Sequence, residues 1–261
     1  GASGTTRTTR YEYTDDNGLK KLISQNPSTG EQVTEWVRGV TTAQGSALNS
    51  NRQVYQKIYP DSGGSPDLVT YNYNRQGQVT RMTDQAATVH AYTYDKLGRL
   101  LKDSAAFSAG TDLDATVGIL ETGYNERGLV VRSTSLNPAG DTIINEVKSA
   151  YNKFNQLETE WQEHFGAVNT STSRKVQYTY ENGSANTIRP TGITNPDGTH
   201  ITTGYSSGMA DAISRPDLIE EGSSTLASMK YLGLGTPVEL KYDSAGGALW
   251  TMKNATTGDI Y

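Results

Sequence analysis

Apolar and polar residues alternate in short runs along most of this chain, and most runs end at a turn signal. The clearest run is Tyr92-Thr93-Tyr94-Asp95, which has the two-residue period of a β-strand. Asp95 and Gly98 then occupy the first and last places of a four-residue turn. Asp is favoured first because its carboxylate accepts bonds from backbone N–H groups just ahead. Gly is favoured last because it reaches positive φ without a Cβ clash. Arg99 to Lys102 carries the chain back, so the segment predicts a β-hairpin with a short loop.

The unit recurs. Tyr73, Asn74 and Gly77 repeat the spacing, as do Tyr124, Asn125 and Gly128, and Tyr242, Asp243 and Gly246. Tyr151 and Asn152 begin a further copy that carries Asn155 at the Gly position, Asn being the usual second choice for positive φ. Looser copies start at Tyr11, Tyr178 and Tyr231, and neighbouring copies fall about 20 to 30 residues apart, as in repeat architectures.

Between the copies the pattern is less regular. Residues 1 to 10 read as an edge strand or a loose end. Asp15-Asp16-Asn17-Gly18 reads as a turn one residue longer than the others; it lacks the twelve-residue pattern of a calcium loop. Val54 to Tyr59 reads as a strand, residues 104 to 118 as an insertion loop, and Asp211 to Pro216 as loop. Pro237 belongs on an edge or at a bulge. In Val147 to Phe165 the apolar residues Val147, Tyr151, Phe154, Leu157, Trp161 and Phe165 are spaced by three or four, as on a helix face. Leu157, Thr159 and Trp161 also alternate with polar residues, as on a half-buried strand. The repeat register favours a hairpin turning at Asn152 to Asn155. The fold class expected is all-β, one array of hairpins over 1–261 with no separate catalytic domain, in a strongly curved or spiralling sheet.

Composition changes the picture in one respect. Hydrophobic residues are 34%, low for a globular domain, and Tyr outnumbers Phe by 16 to 3. Rings that carry a hydroxyl suit surfaces that are part buried and part wet. Stability is therefore not expected from a dry, compact core. A formal net charge of −5 with no basic cluster argues against nucleic acid and anionic membranes as partners. No apolar run reaches transmembrane length. Cys is absent, which removes disulfides, a thiol nucleophile and Cys-ligated zinc.

The chemistry-bearing residues form no recognisable constellation. His90, His164 and His200 have no partner at a metal-binding spacing, and no phosphate loop, dinucleotide fingerprint or nucleophile elbow occurs. No catalytic, cofactor-binding or metal-ligating set is named, and an enzyme ranks third among the functional readings. The flat rings of Trp36, Trp161 and Trp250 suit pyranose faces, which makes them candidate glycan contacts. The tyrosines serve either cross-strand pairing or such a surface.

Tyr-x-Tyr-Asp/Asn-x-x-Gly-Arg-Leu resembles the YD repeat of the Rhs proteins, the C components of bacterial Tc toxins and the teneurins. Tyr59-Pro60-Asp61-Ser62-Gly63 and Asn195-Pro196-Asp197-Gly198-Thr199 look like that family's lead-in to a repeat, and the resemblance covers roughly residues 11 to 261. It implies a secreted or surface-displayed bacterial protein whose hairpin sheet spirals into a hollow shell around a toxin polypeptide. It also implies repeat segments of the same protein as partners. The family's self-cleaving part is not carried over, since no Asp-Pro pair occurs. The rival reading is a carbohydrate-binding or adhesive module. The tail stops where family members usually begin another copy, so the chain is expected to be an excerpt. Thr5 to Tyr13 and Leu249 to Ile260 lack Pro and carry little charge, which predicts edge-to-edge self-association.

Overall fold

Tyr, Thr, Val and Ile populate the runs between turns, and those runs form strands because their side chains fit a pleated, half-buried surface. The computed structural model describes residues 8–26, 28, 30–60, 67–108, 114–181, 189–242 and 249–252. The protein is all-β. Among the described residues there are nineteen strands, one 3-10 turn (Thr42–Gln44) and one four-residue helix, α1 (Met209–Ala212).

The chain divides into two units, residues 1–123 with 133–145, and residues 124–132 with 146–261. The first contains β1 (Thr9–Tyr13), β2 (Leu19–Asn26), β3 (Gly30–Val40), β4 (Ser50–Ile58), β5 (Leu68–Tyr73), β6 (Val79–Thr83), β7 (Val89–Tyr94), β8 (Leu100–Ala106) and most of β9 (Ile119–Tyr124). Each pairs antiparallel with the next in sequence. The boundary falls within β10 (Val130–Leu136) and β11 (Ile143–Tyr151). The second unit continues with β12 (Leu157–Glu163), β13 (Arg174–Tyr180), β14 (Pro190–Thr194), β15 (His200–Gly204), β16 (Leu218–Glu221), β17 (Ser224–Leu232), β18 (Thr236–Tyr242) and β19 (Leu249–Thr251). From β11 onward these too pair with their sequence neighbours.

The stretch from Val147 to Phe165 is a hairpin, β11 and β12 around the turn at 152–155. Its helix-like spacing arises because the three-residue steps, Tyr151 to Phe154 to Leu157, cross the turn, whereas the four-residue steps along the chain also fit a two-residue period. Pro237 stands opposite Tyr231 beside another bulge, a position where a residue without an N–H is tolerated. Three expectations are corrected. β4 begins at Ser50, four residues before Val54. Ser104 to Ala106 belong to β8 rather than to a loop, because Ala105 and Ser104 pair with His90 and Ala91. The segment at 211–216 includes the end of α1.

Burial is thin and spread along the ladder. Ile23, Val40, Val69, Tyr73 and Ile119 are buried in the first unit, and Val168, Ala210, Ala227 and Val238 in the second. Oppositely charged residues stand directly across from one another: Lys21 and Glu35, Lys102 and Glu121, Lys230 and Glu239, with N–O distances of 3.4, 3.6 and 2.9 Å. Such exposed cross-strand pairs contribute about 0.2–1 kcal/mol each. Backbone ladders and local pairs, rather than one core, therefore supply much of the order.

Candidate functional site

The repeated turn is the most regular local structure in the molecule. Its first residue donates its N–H to the carbonyl four residues on, and its fourth residue donates back to the carbonyl of the first. Asp95 to Arg99 and Gly98 to Asp95 make these bonds at 2.9 and 3.0 Å. The same pair of bonds closes the turns led by Thr14, Asn74, Asp84, Asn125, Asn152 and Asn195. This is a type I turn followed by a left-handed residue, the three-residue hairpin loop. The left-handed place is taken by Gly77 (φ 81), Gly98 (φ 83), Gly128 (φ 86) and Gly198 (φ 91), and by Asn155 (φ 66), Asn17 (φ 60) and Ala87 (φ 60).

Two sequence expectations change here. The first turn is not one residue longer; Thr14 leads it and Asn17, rather than Gly18, takes the left-handed place. Thr14 can lead because its Oγ1 accepts the Gly18 N–H at 3.0 Å. Asn195 to Gly198 is itself a hairpin turn, between β14 and β15, rather than a lead-in.

The leading side chain explains the preference for Asp and Asn. Asn74 Oδ1 accepts the N–H groups of Gln76 and Gln78 at 2.9 and 3.0 Å. Asp95, Asn125 and Asn152 each accept the same two N–H groups in their own turns. In three of these four turns the side chain of the fifth residue then matches the first. Asn74 and Asn152 donate from Nδ2 to the amide oxygens of Gln78 and Gln156, whereas Asp95 accepts from Arg99 Nε at 2.6 Å. The Arg99 and Leu97 donors hold the Asp95 carboxyl below the usual carboxylate range, with Arg99 N–H the largest cause.

The motif tyrosines do a second job. Tyr94 donates its hydroxyl to the Val79 carbonyl at 2.7 Å, and Val79 is the residue that pairs with Tyr73 in the preceding hairpin. Tyr151 reaches Val130, Tyr180 reaches Leu157, and Tyr205 reaches Pro190 in the same way. Tyr73 bonds Val54, and Tyr231 bonds Pro216. Each of these six hairpins is thus latched to the one before it. Burial raises the hydroxyl pKa of Tyr73, Tyr94, Tyr180 and Tyr205, and the Asp103 charge adds to the rise at Tyr94. Tyr94→Phe should cost about 1 kcal/mol in urea unfolding, since the Val79 carbonyl loses this donor.

Other side chains link forward. Gln78 Nε2 donates to the Gly98 carbonyl at 2.7 Å, and Arg127 to that of Asn152 at 3.1 Å. Arg189 and Arg215 donate to the carbonyls of Asp211 and Gly233. These two arginines each precede a proline and lie over the ring of a later tyrosine, Tyr205 at 4.5 Å and Tyr231 at 4.1 Å. The sequence signal was available: Arg-Pro followed at a fixed interval by Tyr occurs twice, at 189–205 and 215–231.

Tyr73, Asn74, Gly77, Tyr94, Asp95 and Gly98 lie at one end of the first unit's strands. Asn125, Gly128, Tyr151 and Asn155 form the corresponding turns of the second unit, and Tyr124 closes β9. Tyr242 differs: it closes β18 at the end of the strands opposite to Tyr231. Asp243 and Gly246 lie outside the described residues.

Of the candidate glycan contacts, Trp36 belongs to the first unit and Trp161 to the second. Trp36 lies half-buried on β3 with Lys57 Nζ 5.4 Å from its ring centre. Trp161 lies half-buried on β12 and gives its indole N–H to the Thr170 carbonyl at 3.1 Å. The side chain of Trp250 lies outside the described residues. An open cavity of about 560 Å3 beside the second unit's turn is lined by Phe154, Tyr178, Glu158 and Lys153, among others. Among the described residues no group of three His, Asp or Glu is placed to hold a metal ion.

Sequence reasoning missed Glu146 and Thr88. Glu146 is 2% exposed; its Oε2 accepts the Val168 N–H at 2.8 Å and faces Lys148 Nζ at 3.2 Å. Thr88 is 2% exposed and its Oγ1 has no hydrogen-bond partner among the described residues. Thr88→Val removes that hydroxyl without changing the shape, and should raise stability by about 1 kcal/mol in thermal unfolding.

No family model matches the chain, and no curated protein matches it. Solved structures do. A crystal structure of TcdB2-TccC3 without the hypervariable C-terminal region matches over 93% of this chain at 11% identity and TM-score 0.38. The Photorhabdus luminescens Tc holotoxin pore matches over 95% at 10% identity and TM-score 0.24. The present chain spans 15% of the first of those chains and 18% of the second. The likeness is distant.

Proposed function

We propose that this chain is a structural segment of an Rhs-type shell wall, of the kind that encloses a polypeptide outside the bacterial cell. The reading starts from the repeat Tyr-x-Tyr-Asp/Asn-x-x-Gly and its resemblance to YD repeats. One observation carries it: the motif tyrosines spend their hydroxyls on carbonyls of the preceding hairpin. A residue consumed in this way serves the continuity of the array rather than a ligand. The partners on this reading are further repeats of the same protein and an enclosed polypeptide.

The glycan-binding alternative rests on the ring faces of Trp36 and Trp161. It has less support, because the Trp161 N–H is already bonded and the tryptophans stand on separate strands. A broad glycan array separates the two. The structural reading expects no selective binding. Selective binding that is lost in Trp161→Ala would replace it with the adhesive one. Electron microscopy of the full gene product expects a hollow particle with density inside.

A further inference from the structure

The turn that closes the first hairpin differs chemically from the others. Thr14 leads it, and its Oγ1 accepts the Gly18 N–H at 3.0 Å. Thr14 also gives its N–H to the Gly18 carbonyl at 2.8 Å, and Asn17 gives its N–H to the Thr14 carbonyl at 2.9 Å. Asn17 is exposed and takes the left-handed place at φ 60. Among the seven turns described with this pair of bonds, only here does Gly follow the left-handed residue. The other Asn at that place, Asn155, is followed by Gln156.

The surroundings require Gly at position 18. A Cβ there would stand 2.8 Å from Arg38 Nε and 3.2 Å from Thr14 Oγ1. Arg38 is itself held, since its Nη1 donates to the Arg52 carbonyl at 2.6 Å. The left-handed place just before calls for Gly or Asn. The fold therefore tolerates Asn directly before Gly, a labile pair: without a Cβ, Gly leaves its amide nitrogen open to approach by the Asn side chain. Gly18, Asp15, Asp16 and Arg38 also line an open cavity of about 300 Å3, so water reaches the pair.

We propose that Asn17 is a self-modification site, converted to aspartate and isoaspartate by attack of the Gly18 main chain, with the Thr14 hydroxyl as its guard. In the closed turn the Gly18 N–H is committed to Thr14 Oγ1. When the turn opens, that N–H gives its proton to hydroxide and the nitrogen bonds to Asn17 Cγ. The Cγ–Nδ2 bond breaks and Nδ2 leaves as ammonia, giving a five-membered succinimide. Water then opens the ring. Cleavage at Cγ gives an aspartyl residue with the original main chain. Cleavage at the main-chain carbonyl gives isoaspartate, whose main chain runs through Cγ and is one CH2 longer. The lengthened chain no longer fits the three-residue loop, and a new carboxylate joins Asp15 and Asp16. The pairing of β1 with β2, from Thr9 with Ser24 to Tyr13 with Leu19, then loses its closing turn.

Peptide mapping of the full chain, aged in mildly alkaline buffer, tests this by counting isoaspartate at 17 and at 155. Isoaspartate should accumulate at 17 and not at 155. Its rate should rise about tenfold in urea, where the turn is open. Thr14→Val removes the acceptor and should speed the folded-state reaction about fivefold, whereas Thr14→Ser, which keeps a hydroxyl, should stay near the parent rate. Asn17→Gly keeps the left-handed place without the side chain. After ageing it should retain hydrogen-exchange protection across 9–24 that the parent loses. No isoaspartate at 17 even in urea, or equal rates at 17 and 155, overturns the site. A folded rate equal to that in urea, or unchanged by Thr14→Val, overturns the guard. Equal loss of protection in aged Asn17→Gly and aged parent overturns the link to the hairpin.

Discussion

Glu146→Ala lowers the stability of the second unit by about 3 kcal/mol, the largest loss expected from any single side-chain truncation described above. The substitution leaves the Val168 N–H without this acceptor in a buried position, and deprives Lys148 of its carboxylate. It also unpins the connection between β12 and β13, where Lys148 Nζ and Trp161 Nε1 hold the carbonyls of Val168 and Thr170. Glu146→Gln keeps one acceptor oxygen and should cost about 1 kcal/mol. Urea unfolding of the two variants should therefore differ clearly. Equal losses would mean that the charge, rather than the Val168 bond, is what matters.

Gly118→Ala should be nearly as damaging, at about 3 kcal/mol in the first unit. A Cβ at Gly118 would stand 2.6 Å from the Cα of Pro138 and 2.9 Å from its Cβ and Cγ. The Cα belongs to the main chain, so no side-chain rotation relieves the clash. Gly118 is also fixed on both sides: it accepts the Ala105 N–H at 2.7 Å and donates to the Leu136 carbonyl at 3.0 Å. Gly235→Ala is the control, since its Cβ would meet nothing within 4 Å and its φ is not in the left-handed region. A thermal shift for Gly118→Ala no larger than that for Gly235→Ala would show that the connection gives way freely.

What the sequence made legible was local. Strand alternation and the Asp/Asn–Gly turn depend on residues within six positions of one another, and both can be read from a single stretch such as Tyr92 to Arg99. Thr14 escaped because a hydroxyl can replace the leading carboxylate or amide, while the adjacent Gly18 drew attention away from Asn17. The long-range links were less accessible. Nothing near Glu146 in the sequence announces that Val168 will fold over it. Gly118 sits in a polar stretch with no turn signal, and its need for a missing Cβ comes from Pro138 twenty positions on. The tyrosine latch lay between these extremes: the residues were conspicuous, but the carbonyl each one finds lies on another hairpin.

The matching of first and fifth residues within a turn has a consequence for how such a chain can drift. Asn with Gln and Asp with Arg are each internally satisfied, as Asn74 with Gln78 and Asp95 with Arg99 demonstrate. The crossed combination Asn with Arg sets donor against donor, since the Asn oxygen is already occupied by backbone N–H groups. A turn with a polar fifth residue of this kind therefore changes its letters in pairs, whereas the Asn125 turn, with Leu129 at the fifth place, makes no such match. Exchanging both residues of the 74–78 turn for Asp and Arg should cost about 1 kcal/mol less than Gln78→Arg alone, since both changes lose the Gln78 bond to the Gly98 carbonyl and only the single one also sets donor against donor. Two dialects of one turn can coexist along a single polypeptide, and a mutation that mixes them is heard as an error.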